Sequence, residues 1–262
     1  MDLNLSGRHA LVCGASEGIG RAAAIELALL GCDVTLLARR QAMLQQLVAE
    51  LPVVQEGQTH GWLFGDDGKT EMLSTDVVGL AARKPVHVLI NNGGGPPGGR
   101  AIDADLEAYL TAFRHHTLAN HVRVQAVLPG MRAAGWGRIV NVVSTSVYEP
   151  IPNLGVSNTI RASVAGWAKT LSRELGPDGI TINNVLPGFT RTARMDHIVQ
   201  DRMQASGQSA EQILDGIAQG VPVRRIGEAA DIAAAIAFLA SPAAGYITGV
   251  SLAVDGGRLQ SI

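Results

Sequence analysis

The sequence predicts one doubly wound α/β domain, a parallel sheet of about seven strands with helices on both faces, and three observations carry that prediction. Short, nearly all-apolar, β-rich runs alternate with longer segments rich in Ala and Leu. Such runs suit strands covered on both sides and joined by right-handed helical crossovers. The chain has 262 residues, 47% of them hydrophobic, which is enough apolar surface for one large core. No linker, low-complexity tract or internal repeat interrupts the alternation, so a single domain is expected over 1–262.

The expected strands are His9–Cys13, Asp33–Ala38, a weaker Gly61–Phe64, Val86–Ile90, Arg138–Val143, Thr181–Leu186 and Gly249–Val254. Apolar residues recurring every three or four positions predict helices at Gly18–Leu30, Gln41–Leu51, Leu106–Ala134, Leu154–Leu175 and Ala229–Leu239. Two stretches depart from the pattern. Asn92–Arg100 reads NGGGPPGGR, a loop by composition. Ala193–Ile226 is polar, helical in places and preceded by no strand of its own. Ligands of an open α/β sheet sit at the carboxyl ends of its strands. An insert just after the sixth strand is therefore placed to act as a substrate lid.

Composition excludes several classes of function. Lys and Arg total 21 against 23 Asp and Glu, a formal charge of −2, which predicts no nucleic-acid partner and no anionic-membrane partner. No apolar run is long enough to span a bilayer. The first residues carry no basic n-region, so a cytoplasmic protein is expected. Two cysteines, Cys13 and Cys32, supply neither a disulfide framework nor a zinc site. Cys13 in the first strand reads as a small core side chain. His115, His121 and His197 show no metal-ligand spacing, and no metal site is expected.

The first strand runs into Gly14-Ala15-Ser16-Glu17-Gly18-Ile19-Gly20, and a helical pattern follows at once. Gly14 permits the tight turn, Gly18 lets the backbone approach a pyrophosphate, and Gly20 lets the helix pack on the strand. Free N–H groups at the helix start, with Ser16 and Ile19 in the same loop, then meet the phosphates. Read blandly, the loop is only a tight β–α turn; its place between first strand and first helix favours a dinucleotide site and a Rossmann-type domain. After the second strand the chain reads Leu37-Ala38-Arg39-Arg40, with no acid for a ribose 2′-hydroxyl and two guanidiniums suited to a 2′-phosphate. NADP is expected over NAD. Glu17 close by is the one feature that would repel that phosphate.

With these motifs the sequence resembles the classical short-chain dehydrogenase/reductases, especially the 3-oxoacyl-acyl-carrier-protein reductase-like group, over nearly its whole length. Gly14-x3-Gly18-Ile19-Gly20 is similar to the family's glycine motif, with Cys13 where Thr is usual, and Asn91-Asn92-Gly93-Gly94 resembles its Asn-Asn-Ala-Gly motif. Asn141-Val142-Val143-Ser144 resembles the strand that ends in the catalytic Ser. The resemblance implies coenzyme contacts from Asp66 and its neighbour Asp67, from Asn91 and Gly93, and from Pro187, Gly188, Thr190 and Thr192. Val254-Asp255-Gly256-Gly257 matches the C-terminal strand. It also implies a homotetramer or homodimer built on the two long helices and the last strand.

The catalytic positions depart from the family. Members use Asn, Ser, Tyr and Lys, the Tyr exchanging the proton and the Lys lowering its pKa while holding the nicotinamide ribose. At the family's spacing from Ser144 stand Ser157 and Arg161, and His116 falls in the Asn position. A serine hydroxyl is a far weaker acid than a phenol, and Arg161 can bind ribose hydroxyls or polarise a carbonyl but cannot pass a proton. Three substitutes are available. His116 could protonate an alkoxide directly or through water, unless it is a helix histidine satisfied locally. Tyr148 could reach the crevice from its loop, unless it is a pocket wall. Otherwise protonation is substrate-assisted, with Ser144, Ser157 and Arg161 only binding and polarising the oxygen. Asn158 lies three residues from Arg161 and is expected on the same helix face. The leading expectation is an NADP-dependent oxidoreductase interconverting a small-molecule carbonyl and a secondary alcohol with a non-standard proton donor. The alternatives are a catalytically silent NADP-binding sensor or oligomer partner and, more remotely, a lyase-type enzyme.

Overall fold

A computed structural model describes residues 1–261. In chain order it contains β1 (His9–Cys13), α1 (Gly18–Leu29), β2 (Asp33–Ala38), α2 (Gln41–Glu50), β3 (His60–Phe64), α3 (Thr70–Arg83), β4 (Val88–Asn91) and α4 (Leu106–Phe113). There follow α5 (Ala119–Ala133), β5 (Gly137–Val142), α6 (Gly155–Leu175), β6 (Ile180–Pro187), α7 (Ala193–Ser206), α8 (Ala210–Gln219), α9 (Ala229–Ala240) and β7 (Ser251–Val254). The strands form one sheet in the order β3-β2-β1-β4-β5-β6-β7, every pair parallel. The doubly wound fold is as expected. Its order reverses between β1 and β4, which opens a crevice at their carboxyl ends.

Strand alternation divides the core into two layers. Ala10 and Val12 of β1 face a cluster with Ala23 and Leu27 of α1, Leu44 and Leu47 of α2, and Ile232 and Ile236 of α9. Leu11 and Cys13 of the same strand face Leu73 and Val77 of α3, Val124 and Val127 of α5, and Ala168 and Leu175 of α6. All five residues of β1 are buried, which is why its sequence shows no polar face. A third, separate cluster holds α7 and α8 together through Met195, Val199, Ile213 and Ile217. Among the described residues no helix is long and apolar enough to cross a membrane.

The structure differs from the sequence expectation in two helical regions and in the start of two strands. The long segment Leu106–Ala134 is not one helix, because a π-helical turn, Arg114–Leu118, separates α4 from α5. Local 3.6-residue periodicity does not register the one-residue surplus of a π turn. Helix α3 has no counterpart among the expected helices; its apolar residues are spread among polar ones, and only Leu73 and Val77 are buried. Strand β4 starts at Val88 and β7 at Ser251, later than the apolar runs.

Candidate active site

The loop between β1 and α1 is shaped by what a side chain would strike. A Cβ on Gly20 would lie 2.3 Å from the Gly14 carbonyl oxygen, and one on Gly14 2.6 Å from the Asn92 carbonyl oxygen. Gly14 and Gly18 both hold φ near +58°, at +58° and +57°, in the left-handed region that favours glycine. A Cβ on Gly18 would face Thr192 Cγ2 at 3.2 Å, so Thr192, the residue preceding α7, closes the loop from the other side. Asn92 Nδ2 donates to the carbonyls of Cys13 and Gly14, at 3.3 and 3.2 Å, tying the loop after β4 to the glycine loop. The result is a backbone-lined cradle at a helix N-terminus, fitted to a pyrophosphate.

At the end of β2, Arg40 Nη2 donates to Ser16 Oγ at 2.8 Å and pairs with Glu17 Oε2 at 2.9 Å. Arg39 is exposed. Glu17 is thus neutralised by Arg40, which removes the repulsion that its charge alone would impose on a phosphate. Asp67 bridges two parts of the site, its Oδ2 lying 3.3 Å from where a Cβ on Gly93 would stand. It pairs with Arg123 of α5, which is buried and also donates to Asn120 Oδ1 at 3.2 Å. Asp66 Oδ1 accepts from the Gly68 amide at 3.0 Å. Gly188 packs so closely that a Cβ would meet Asp255 Cα at 2.7 Å. Thr190 Oγ1 donates to the Gly188 carbonyl at 3.1 Å, and Pro187 ends β6 beside Val254 of β7.

The catalytic candidates converge from three elements. Ser144 follows β5, and its Oγ accepts from the Ser146 amide at 3.1 Å. Ser157 and Arg161 lie one turn apart on α6, so both point from the same face. Arg161 Nη1 donates to the Val142 carbonyl at 3.0 Å, which brings the guanidinium to the end of β5 near Ser144; its Nε is buried without a partner. Burial, followed by the nearby charge of Arg194, lowers the Arg161 pKa to about 10, so it stays cationic at neutral pH. His116 sits inside the π turn, 5% exposed. Burial first, then Arg161 and His115, push its pKa down to about 3. The ring is neutral at working pH. A direct role as an imidazolium acid, expected from its ordinary pKa, is therefore corrected; water relay is what a neutral ring can offer.

Two further expectations are redirected. Tyr148 is half exposed, and its hydroxyl donates to the Ser251 carbonyl of β7 at 2.9 Å, so its proton is engaged at the sheet edge. Asn158 exchanges two hydrogen bonds with the Ile151 backbone, at 3.3 and 2.9 Å, and so fastens the loop before α6 instead of facing the crevice.

A model of the family described as enoyl-(acyl carrier protein) reductase matches residues 14–258. The chain belongs to the short-chain dehydrogenase/reductase family. The NADPH-dependent reductase BacG of Bacillus subtilis is 31% identical over 263 residues, 98% of this chain and 100% of its own. The 3-oxoacyl-[acyl-carrier-protein] reductase FabG of Haemophilus influenzae is 33% identical over 268 residues, 98% and 100% of the two chains. Among solved structures, L-sorbose reductase from Gluconobacter frateurii, complexed with NADPH and L-sorbose, superposes with a TM-score of 0.93 at 26% identity, covering 100% of both chains.

Within this short-chain dehydrogenase/reductase, three features of the site were not legible as such. Asn91, Asn141 and Asn184 stand at paired positions of β4, β5 and β6, followed by Ser251 on β7. Their side chains form a ladder: Asn91 Nδ2 to Asn141 Oδ1 at 2.9 Å, Asn141 Nδ2 to Asn184 Oδ1 at 2.9 Å, and Asn184 Nδ2 to Ser251 Oγ at 3.0 Å. Asparagine inside an otherwise apolar strand was the available signal, since β propensity disfavours it. The Asp67–Arg123 pair joins residues far apart in sequence and left no local trace. Arg194, whose guanidinium lies against Gly95 and the Pro96 carbonyl, was indistinguishable from any charged residue of a polar helix.

Proposed function

We propose that this protein is an NADP-dependent oxidoreductase that interconverts a small-molecule carbonyl and a secondary alcohol without the Tyr–Lys pair usual in its family. The observation that carries the reading is the glycine cradle of Gly14, Gly18 and Gly20, closed by Thr192. Relatives named as NADPH-dependent reductases support it. The bound nicotinamide would supply or accept the hydride. Backbone amides at the start of α1, with Ser16 and Ile19, hold the pyrophosphate, and Arg39 and Arg40 hold the 2′-phosphate. Asp66, Asp67, Asn91, Gly93, Pro187, Gly188 and Thr190 shape the walls of the coenzyme groove.

Arg161 takes the place of the lysine, binding ribose hydroxyls and polarising the substrate oxygen as negative charge grows there. Ser144 and Ser157 donate hydrogen bonds to that oxygen. The proton comes from the substrate or from water, with the neutral His116 relaying it; Tyr148 stands aside at the sheet edge. Helices α7 and α8, over 193–226, form the lid. We place the protein in the cytoplasm as a homotetramer or homodimer.

The test is a fluorescence titration with NADPH and NADH followed by a panel of ketones, quinones and 3-oxoacyl thioesters. NADPH binding with turnover of a panel member is expected. Tight binding with no turnover across the panel would instead favour a silent NADP sensor. The double variant Ser157→Tyr, Arg161→Lys should gain ordinary ketone reduction if these positions are the family's catalytic pair.

A further inference from the structure

Cationic groups crowd the crevice, and little answers them. Arg161 makes one hydrogen bond, to the Val142 carbonyl, and its buried Nε has no partner. Arg194, on the first turn of α7, makes one long hydrogen bond, Nη2 to the Pro96 carbonyl at 3.4 Å. No carboxylate among the described residues pairs with either guanidinium. Arg123, close by, already has Asp67 as its counter-charge. Arg161 is partly buried and Arg194 is open to solvent, so an incoming anion can reach Arg194 and meet a cation that no carboxylate answers.

Glycine 95 explains how Arg194 comes to lie there. A Cβ at that position would stand 2.8 Å from Arg194 Cζ and 3.0 Å from Nη2. Only a residue without a side chain leaves the guanidinium this bed on the loop after β4. Coenzyme phosphate is the obvious rival for the charge, yet the geometry separates the two. Thr192 faces the Gly18 phosphate cradle, whereas the Arg194 side chain, two residues on, turns to Gly95 and Pro96. The same loop also reaches His116, since a Cβ on Gly93, two residues before Gly95, would lie 3.9 Å from His116 Cε1, which puts Arg194 on the side of that candidate proton relay.

We propose that the substrate is an oxo acid or hydroxy acid whose carboxylate is gripped by Arg194, lying over Gly95. A planar carboxylate matches the guanidinium fork in bidentate fashion, which also fixes the face of the nearby carbonyl. The assignment rests on the coenzyme-dependent reading above.

The experiment is calorimetric titration of the NADP⁺-saturated protein, in which a ketone cannot be reduced, with 2-oxopentanoate, 4-oxopentanoate and their methyl esters. At least one acid should bind about tenfold or more tighter than its ester, the scale of a charge-assisted bidentate contact. Arg194→Gln should erase that preference while NADP⁺ affinity changes less than about twofold. Gly95→Ala should weaken it with Arg194 still present, because the guanidinium loses its bed. Equal affinity for acids and esters in the wild type, including no binding of either, overturns the proposal. So does a large loss of NADP⁺ affinity in Arg194→Gln, which would make Arg194 a coenzyme residue. If wild-type protein fails to bind NADP⁺ at all, the functional reading falls. The acid-over-ester comparison then runs on the free protein and decides the carboxylate site by the same outcomes.

Discussion

Gly20 shows most directly how one residue type makes the coenzyme site possible. A Cβ there would stand 2.3 Å from the Gly14 carbonyl oxygen, and that neighbour is backbone, which cannot swing away. Gly20→Ala should weaken NADPH binding by at least about tenfold, read by fluorescence titration, because the amides at the helix start lose their aim. Arg40→Ala should lower the NADPH-over-NADH preference in the same assay, since it removes a charged hydrogen-bond donor from the 2′-phosphate region. His116 and His9 carry the pH dependence. His9 Nδ1 lies 3.1 Å from the Pro85 carbonyl, so it must carry the proton, while Nε2 accepts from Thr35 Oγ1 at 2.8 Å. Burial first, then Lys84, hold its pKa at about 4. Both rings are neutral when folded and bind protons near pH 6.5 when unfolded. The unfolded chain therefore takes up more protons below that pH, and stability falls as pH drops from 6.5 toward 4. Each imidazole contributes up to about 1.4 kcal/mol per pH unit in this window. Urea midpoints should be flat above pH 7 and decline below 6.5, and His116→Asn should make the decline shallower; an unchanged slope would count against the buried neutral ring.

The asparagine ladder and the π turn belong to the elements rather than to any one residue. Asn141 is fully buried at the centre of the ladder. Asn141→Ala would strand the Asn91 amide and the Asn184 carbonyl oxygen, costing about 3 kcal/mol in a denaturant titration. A loss near that of an ordinary surface substitution would show that the ladder contributes nothing. Asp67→Asn leaves Arg123 charged and buried without its counter-ion, and a similar loss, about 3–5 kcal/mol, is expected. The glycine cradle and the residues of α6 were readable because each depends on spacing within a few turns of chain. Strand and helix order was readable for the same reason. The π turn was not, because a single extra residue in a helix changes no pattern of apolar positions enough to be seen. Helix α3 escaped through its thin apolar stripe.

Apolar surface is distributed over the whole molecule in a way that fits association of several copies. Leu106, Leu110 and Phe113 form an exposed stripe along α4, and Tyr246, Val250 and Leu252 line the exposed edge at β7. Such exposed apolar stripes mark interaction surfaces. Light scattering should report a multimer, and Leu110→Arg should lower its mass; a wild-type monomer would remove this reading. The cradle sits where the sheet order reverses, so the coenzyme site and the catalytic candidates come from distant parts of the chain. Composition, periodicity and motif spacing were sufficient for the doubly wound fold and the dinucleotide loop, and the family resemblance pointed to Ser157 and Arg161 as candidate site residues. Each is a relation between near neighbours in the chain. Folding alone drew Asp67 to Arg123, neutralised Glu17 with Arg40, committed Tyr148 to β7 and laid Arg194 across Gly95. Those are contacts between distant segments, and which partner a charged or polar side chain finds is decided by burial and by the shape of the sheet.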